Sequence, residues 1–227
     1  MESWPTGSPG AAARMWAGLD GPWREAFSQA WEALRSGSIA VGACAATADG
    51  QIAHAARNRV KDTGGPPGEV YGSSLAHAEM NVLARLPYGP RGNLILTSTL
   101  QPCLQCAAAI RMGPVAAVRF AGADRYWDGC DEFGKLSARE ARRRQPERSG
   151  PRRDEIGVFG TLIARFGPGL MRTTEEAFRA LGEGPLVDLV HELEGSDEVS
   201  RLAALEVGEA FAQLWPRLHA LVTTRDR

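Results

Sequence analysis

The sequence predicts a layered α/β domain, and three observations support that fold class. An apolar strand at 93–99 is followed by a helix at 103–112 and by a second apolar strand at 115–121. A strand, a short crossover and a second strand form a right-handed parallel unit with few exceptions. Upstream, apolar runs on both sides of an Asp-Gly turn at 49–50 indicate a β-hairpin.

An amphipathic helix is predicted ahead of the hairpin, over residues 20–34. Asp20 can cap this helix, and Pro22 suits its first turn. The hairpin at 39–56 is followed by a loop rich in Pro and Gly and then by a helix at 74–86. The apolar residues of the first helix share one face: Trp23, Phe27, Ala30, Trp31 and Leu34.

Composition divides the 227 residues into four segments. Residues 1–18 are rich in small residues, and we expect a flexible N-terminal tail. Residues 19–137 hold the predicted α/β units and form the core. Residues 138–154 contain seven Arg, which predicts an Arg-rich loop. Residues 155–227 are expected to form a strand and helices packed on the core or on a dimer partner.

Within the last segment, one further strand is predicted at 156–164. Helices are predicted at 173–181, 185–193 and 196–222, and the segment is mildly acidic. The last helix carries a long apolar face that needs a partner surface, on the core or on a second subunit. That face consists of Leu202, Leu205, Phe211, Leu214 and Leu218.

Charge and composition exclude several classes of function. The net charge is −1, so nucleic-acid binding would have to depend on a local basic patch. No apolar run approaches the roughly 18 residues that a membrane span needs. The first residues lack the basic leader and apolar core of a secretion signal. We therefore expect a cytoplasmic protein with no membrane partner.

Two short motifs at predicted helix starts carry the chemically active residues. The first is His77-Ala78-Glu79, and the second is Pro-Cys-Leu-Gln-Cys at 102–106. Cysteines three positions apart at a helix start place both sulfur atoms on one face, and the helix dipole there favours thiolates. Two thiolates and one imidazole supply three zinc ligands, which leaves the fourth tetrahedral position open for water, as in catalytic sites.

The motifs therefore predict a zinc ion bound by His77, Cys103 and Cys106. Glu79 lies too close to His77 to be a natural fourth ligand, and we predict that it is the general base. It would carry a proton from water to a ring nitrogen and to the departing ammonia. The combined pattern is a signature of zinc deaminases. A thioredoxin-like redox pair is the rival interpretation of the cysteines, but its aromatic and Gly-Pro context is missing.

In this order the motifs resemble those of the cytidine and deoxycytidylate deaminase superfamily, above all its tRNA-adenosine-deaminase and guanine-deaminase branch. The similarity covers roughly residues 20–130. It implies a three-layer α/β/α fold with a mostly parallel five-stranded sheet, here with extra C-terminal helices, and a homodimer. It also implies that Asn58 contacts the sugar or base and that the Ala78 N–H binds the polar edge of the ring. Gln101 stands where this branch usually has Glu.

Three functions stay open at this point. The favoured one is zinc-dependent hydrolytic deamination of a nucleobase in a free base, nucleoside or nucleotide, with that small molecule as partner. The second is tRNA adenosine-to-inosine deamination, with the Arg-rich stretch on the anticodon stem. Near-neutral charge disfavours it, because phosphate contacts dominate nucleic-acid affinity. The third is a non-catalytic zinc-binding interaction module, which would not need Glu79.

Other candidate residues receive simpler interpretations. His191 and His219 are predicted on helices without partners. Cys44 is expected to be a small core residue. Tyr126 and Trp127 are expected either to pack against neighbours or to stack on a base at the rim of the site.

Overall fold

The computed structural model describes residues 9–89, 92–143, 145–167 and 170–225. Its centre is a five-stranded sheet with the strand order β2-β1-β3-β4-β5. The strands are β1 (Gly42–Ala46), β2 (Ile52–Arg57), β3 (Ile95–Leu100), β4 (Ala117–Gly122) and β5 (Glu147–Ser149). The predicted α/β class and the number of strands are confirmed.

The predicted hairpin and the predicted parallel unit both form. Strand β1 runs antiparallel to β2, with Gly42 opposite Arg57, and antiparallel to β3. Strands β3, β4 and β5 run parallel to one another, with Ile95 beside Ala117. The sheet is therefore mixed: its parallel part lies in the second half, and the hairpin supplies the antiparallel part.

Helices pack on both faces of the sheet and complete three layers. Side chains of successive strand residues point to opposite faces, so the sheet separates two apolar cores. No helix among the described residues is both long and apolar enough to cross a membrane. The helices are α1 (Pro9–Ala17), α2 (Gly21–Arg35), α3 (Ala78–Ala84), α4 (Leu104–Met112), α5 (Ala138–Arg142), α6 (Glu155–Ile163), α7 (Leu170–Ala180), α8 (Gly184–Gly195), α9 (Glu198–Ala203) and α10 (Val207–Arg225).

Helix α2 joins the sheet to the C-terminal helices. Asp20 caps it as predicted, since the Trp23 amide donates to Asp20 Oδ1 at 3.0 Å. Farther along the helix, the Trp31 indole N–H donates to the Leu205 carbonyl at 2.9 Å. Arg35 Nε donates to the Ala203 carbonyl at 2.8 Å. The segment between α9 and α10 is thus held against α2 by side-chain donors.

The prediction of a strand at 156–164 is wrong, because this stretch forms helix α6. Asp154 caps the helix by accepting a hydrogen bond from the Gly157 amide at 3.1 Å. Every residue of α6 is buried, so the sequence lacks the polar positions that reveal a helical period. A short run that is apolar all round suits a buried helix as well as a buried strand. The Asp cap was the signal that separates the two.

The segment 138–154, predicted to be a loop, contains helix α5 and strand β5. Ser137 caps α5 by accepting from the Glu140 amide. Strand β5 lies at the edge of the sheet, where Glu147 is paired with Ala117 of β4. It is short, exposed and charged, which is typical of edge strands that avoid pairing with other chains. The fifth strand of the sheet is therefore supplied by the Arg-rich stretch.

Part of the predicted N-terminal tail is ordered. Residues 1–8 lie outside the described residues, whereas the following stretch forms α1. Ala12 is fully buried, and the Trp16 ring lies 5.4 Å from the Phe211 ring between centroids. Aromatic contacts of this kind add to the burial of apolar surface. Helix α1 is therefore docked on α10.

The predicted helix at 196–222 is divided into α9 and α10, and the chain itself covers its apolar face. Four of the five predicted face residues are fully buried, and Leu205 packs partly buried against them. They belong to the core that also contains residues of α2, α6 and α8. The partner surface is therefore supplied within the chain, and the expected homodimer is supported by the family resemblance alone. The buried four are Leu202, Phe211, Leu214 and Leu218.

Helix α6 packs closely against the sheet, and glycine residues make the short distance possible. A Cβ atom on Gly160 would stand 2.3 Å from the Thr99 carbonyl oxygen, and one on Gly122 would stand 2.4 Å from the Thr161 amide nitrogen. Neither position has room for a methyl group. The Thr161 hydroxyl also donates to the Ala123 carbonyl at 3.0 Å. The α6 backbone therefore touches the C-terminal ends of β3 and β4.

We expect Gly160→Ala to lower the free energy of unfolding by about 1–3 kcal/mol, the usual cost of overpacking. Gly195→Ala is the matched control, because a Cβ there would meet nothing within 4 Å. It should change the free energy by less than about 0.5 kcal/mol. Urea unfolding of both variants measures the difference. Equal stability of the two variants would show that α6 does not depend on this close approach.

Candidate active site

The two sequence motifs meet at the N-terminal ends of α3 and α4. His77 is the N-cap residue of α3 and Cys103 is the N-cap residue of α4, and neither side chain caps its own helix. Cys106 lies in the first turn of α4 and is fully buried. Both helix starts therefore present their side chains to one point.

The three side chains have the spacing of a metal site. His77 Nδ1 lies 3.5 Å from Cys103 Sγ and 3.4 Å from Cys106 Sγ. All three ligand atoms lie within 4.8 Å of one another. Tetrahedral zinc with its usual bond lengths separates a nitrogen and a sulfur ligand by about 3.5 Å. The set of one imidazole and two thiols thus fits Zn²⁺ in both distance and chemistry.

The pKa values of the side chains in this cluster are shifted in different directions. A hydrogen bond from Cys106, together with one from His77, lowers the pKa of the Cys103 thiol to about 4. The same contact with Cys103, together with burial, raises the pKa of Cys106. Burial opposes the charged form of His77, but the bond to Cys103 and the charge of Glu79 leave its pKa raised. The hydrogen bond between the two thiols therefore shifts their pKa values in opposite directions, downward for Cys103 and upward for Cys106.

Glu79 lies beside the cluster and is held by a residue that the sequence analysis missed. The Ser98 hydroxyl on β3 donates to Glu79 Oε1 at 2.8 Å, and Glu79 Oε2 lies 3.5 Å from Cys106 Sγ. The carboxyl group is buried, and burial raises its pKa. A polar residue within an apolar strand was the available signal for Ser98, since buried hydroxyls need a partner.

Asn58 and Ala78, the two predicted substrate contacts, occupy different positions. Asn58 is buried and lines the cavity that contains His77 and Glu79. Its Oδ1 accepts from the Ser38 hydroxyl at 2.9 Å and from the Val60 amide at 3.0 Å. Ala78 is the first residue of α3, and its side chain is fully buried.

The cavity above the cluster has a volume of about 270 Å³. The residue that departs from the usual family pattern, Gln101, lies in its wall. Gln101 Nε2 donates to Asp128 Oδ1 at 3.2 Å, while its Oε1 accepts from the Asp124 amide at 3.3 Å. An ionised Glu could not donate to Asp128, so the amide suits this particular wall.

Residues from the second half of the chain form the far wall of the cavity. Arg165 follows α6, Phe178 lies on α7, and both line the cavity together with Asp124 at the end of β4. Tyr126 and Trp127 also line it, with their rings 5.1 Å apart. The sequence analysis missed Arg165 and Phe178, because a contact between distant segments leaves no local pattern.

The remaining candidate residues are two histidines and one cysteine. His191 and His219 do have partners, contrary to the prediction. His191 Nε2 lies 3.1 Å from Glu175, and His219 Nδ1 lies 2.7 Å from Glu155. Cys44 is fully buried, as expected of a core residue.

Comparison with known proteins agrees with the motifs. Residues 22–121 match the family model described as the cytidine and deoxycytidylate deaminase zinc-binding region. The chain is 28% identical over 116 residues to tRNA-specific adenosine deaminase 2 of Xenopus tropicalis. The match covers 47% of this chain, which spans 63% of the length of that curated relative.

Solved structures of deaminases are also similar. One comes from work on A-to-I editing by tRNA:A34 deaminases, with 23% identity and a TM-score of 0.45, covering 57% of this chain and 96% of that chain. Another is guanine deaminase from Bacillus subtilis, with 24% identity and a TM-score of 0.38, covering 58% of this chain and 81% of that chain.

The purified protein should contain about one zinc per chain. We expect Cys103→Ala to remove the zinc and to lower the melting temperature, because metal binding contributes to folding stability. Elemental analysis and thermal unfolding measure the two effects. Cys130→Ala is the matched control, since this thiol lies near the Pro102 carbonyl and outside the ligand cluster. Full zinc occupancy in Cys103→Ala would contradict the ligand assignment.

Proposed function

We propose that this protein hydrolytically removes the exocyclic amino group of a nucleobase, with zinc as cofactor, because residues 22–121 match the cytidine and deoxycytidylate deaminase zinc-binding region. The substrate is a free base, a nucleoside or a nucleotide. The observation that carries this proposal is the placement of a buried carboxyl, Glu79, beside the three ligand side chains and on the cavity that His77 and Cys103 also line.

In the proposed mechanism, His77, Cys103 and Cys106 hold the zinc, which when bound lowers the pKa of water toward roughly 7. Glu79 is the proton carrier. Ser98 occupies Oε1 of this carboxyl, so Oε2 accepts the proton of the attacking water. Glu79 then delivers that proton to the ring nitrogen while the water oxygen bonds to the ring carbon. It next takes the second proton from the added hydroxyl group and delivers it to the amino group, so that the C–N bond breaks, a carbonyl forms and ammonia departs.

The substrate is oriented by groups that do not move protons. Two donors hold the Oδ1 of Asn58, which leaves its NH₂ group to donate to the sugar or the base. The Ala78 N–H is proposed to bind the polar edge of the ring. A surface of fixed donors keeps the reacting carbon close to Glu79 without reorganisation.

A non-catalytic zinc module explains the site less well. A structural zinc needs four closed ligands, whereas this cluster has three among the described residues. A buried carboxyl beside it also costs free energy that a structural site would have no reason to retain. Both features suit catalysis.

A small substrate is favoured over tRNA by the ion pairs of the Arg-rich stretch. Arg143 lies 4.0 Å from Glu140, and Arg148 and Arg152 pair with Asp131 and Asp154. Arginines that are already paired attract phosphate less. The tRNA-specific name of the curated relative favours the alternative, so both substrates belong in the test.

Four free cysteines support a reducing compartment such as the cytoplasm, and a homodimer is part of the same proposal.

The proposal is tested with zinc-loaded protein and a panel of bases, nucleosides, 5′-monophosphates and tRNA. Ammonia release identifies the substrate, and analysis of the product identifies the deaminated base. Turnover of a small molecule supports the proposal. Turnover of tRNA alone would replace the substrate with the alternative, and no turnover of any probe would contradict deamination.

We expect Glu79→Gln to retain zinc and fold but to lower kcat by at least roughly 10²–10⁴, because the amide cannot accept the proton of water. The control is Glu192→Gln, an exposed residue of α8. Steady-state kinetics and zinc analysis are measured on both variants. Near-normal turnover by Glu79→Gln would assign the proton transfer to another group.

Replacing Arg142 and Arg143 with Gln should leave activity on the small substrate within about threefold, because exposed charges far from a site act weakly through screened solvent. Arg144, the third Arg of this run, lies outside the described residues and is left unchanged. The measurement is kcat/KM at low and high salt. Inosine formation in tRNA by the wild type that is lost in this variant would show that the stretch serves RNA.

A further inference from the structure

The side-chain amide of Asn58 has one defined orientation in the wall of the cavity. The Val60 backbone N–H meets the Asn58 side chain at 3.0 Å. Because an N–H group can only donate, the atom that it meets is Oδ1, and Nδ2 points the other way. The Ser38 hydroxyl donates to the same Oδ1 at 2.9 Å. A flipped amide would set two donors against each other at Val60.

The Nδ2 group of Asn58 is open to the cavity. Asn58 is buried, with 2% of its surface exposed, and it lines the cavity that also contains His77 and Glu79. Among the described residues its Nδ2 has no hydrogen-bond partner, and it is not one of the fully enclosed donors that lack one. A ligand in the cavity can therefore present an acceptor atom to this NH₂ group.

Ser38 contacts Asn58 from behind the cavity wall. Ser38 is buried, and it does not belong to the cavity lining, which contains Ile39 and Val41 from the same segment. Its Oγ also accepts a longer hydrogen bond from the Lys61 amide at 3.4 Å. Since Ser38 cannot touch a ligand in the cavity, its effect on a ligand passes through Asn58.

The C-terminal end of α2 sets the position of Ser38. Gly37 follows the helix with a φ of 75°, in the left-handed region that favours glycine. The Gly37 amide donates to the Leu34 carbonyl at 2.9 Å, and the Ser38 amide donates to the Ala33 carbonyl at 2.9 Å. These two bonds form a Schellman motif, a common way to end a helix. Backbone hydrogen bonds of a helix end therefore fix the residue that holds Asn58.

The backbone of Asn58 is held separately, by ion pairs of the residues beside it. Arg57 Nη2 lies 2.6 Å from Asp62 Oδ2, and Arg59 Nη1 lies 2.9 Å from the same oxygen. Arg57 Nη1 also donates to the Asn58 carbonyl at 3.1 Å. The ion pairs thus fix the main chain, which leaves the orientation of the side-chain amide to Ser38 and to the turn itself.

We propose that Ser38 is a positioning residue, which holds the side-chain amide of Asn58 with its NH₂ group toward the substrate. A donor that is already oriented binds a ligand with a smaller loss of side-chain entropy. This inference rests on the proposed function. It adds a requirement for the substrate, which must present an oxygen or nitrogen acceptor to Asn58.

The first test compares Ser38→Ala with Ser36→Ala, both loaded with zinc, on adenine, guanine and cytosine, their nucleosides and 5′-monophosphates, and tRNA. Ser38→Ala should raise KM roughly three- to tenfold with kcat nearly unchanged, because the lost hydrogen bond acts on binding alone. Ser36 is the matched control, since its hydroxyl donates to the Glu32 carbonyl at 2.8 Å and lies outside the cavity lining. Equal KM values for the two variants would overturn the proposal.

A double-mutant cycle tests whether Ser38 acts through Asn58. Asn58→Ala removes the amide group and should raise KM more than Ser38→Ala does. In the double variant, the loss of Ser38 should add nothing to the effect of Asn58→Ala, because residues that act through one contact are not additive. A purely structural role of Ser38 predicts additive effects, and additivity would contradict the proposal.

The state of the Asn58 amide is also measured without a substrate, by NMR of zinc-loaded protein labelled with ¹⁵N. The NH₂ signals of Asn58 are assigned by their absence in Asn58→Asp, which retains oxygen acceptors for Ser38 and Val60. They should be narrow in the wild type and in Ser36→Ala, and broadened in Ser38→Ala, where the amide changes orientation. Unchanged signals in Ser38→Ala would refute the positioning role.

Failure of the proposed function looks different, because the wild type would then release ammonia from no probe. The NMR comparison does not depend on turnover. It would still decide whether Ser38 holds the amide of Asn58.

Discussion

The contact between α6 and the ends of β3 and β4 is the constraint on which both halves of the molecule depend. Glycine at positions 122 and 160 brings the two backbones together, and this spacing fixes where the chain leaves α6. Arg165 is delivered at that point to the same cavity as the zinc-ligand cluster. The sheet and a set of C-terminal helices are thereby joined around a single cavity.

The cavity is lined by buried ionisable groups, and each group is held by different partners. Ser98 donates to Glu79, whereas Arg165 is set between two carboxylates. Burying such groups costs free energy that hydrophobic side chains of similar volume would not require. Their presence is better explained by chemistry than by stability. Glu79 and Arg165 line the same cavity, and they come from segments that are distant in the sequence.

How much the sequence predicted depended on how local each signal was. The zinc cluster came from two short motifs, and the cap of α2 came from Asp20 and Pro22 alone. Helix α6 was mistaken for a strand because burial on all sides removed its period, and β5 was missed because its few charged residues pair only at a sheet edge. Arg165 and Phe178 approach the site through tertiary packing, which composition and spacing do not encode. Ser98 was readable in principle, as a hydroxyl inside an apolar strand.

The hydrogen bond from Trp31 to the Leu205 carbonyl joins positions that are 174 residues apart. Contacts of such long range raise the contact order, and chains with high contact order fold slowly. The aromatic face of α2 is synthesised well before α10, which helps to bury it. Until then, Phe27 and Trp31 expose apolar surface that promotes aggregation of incomplete chains. We therefore expect chains of this protein that end before α10 to aggregate more readily than the chain that includes it.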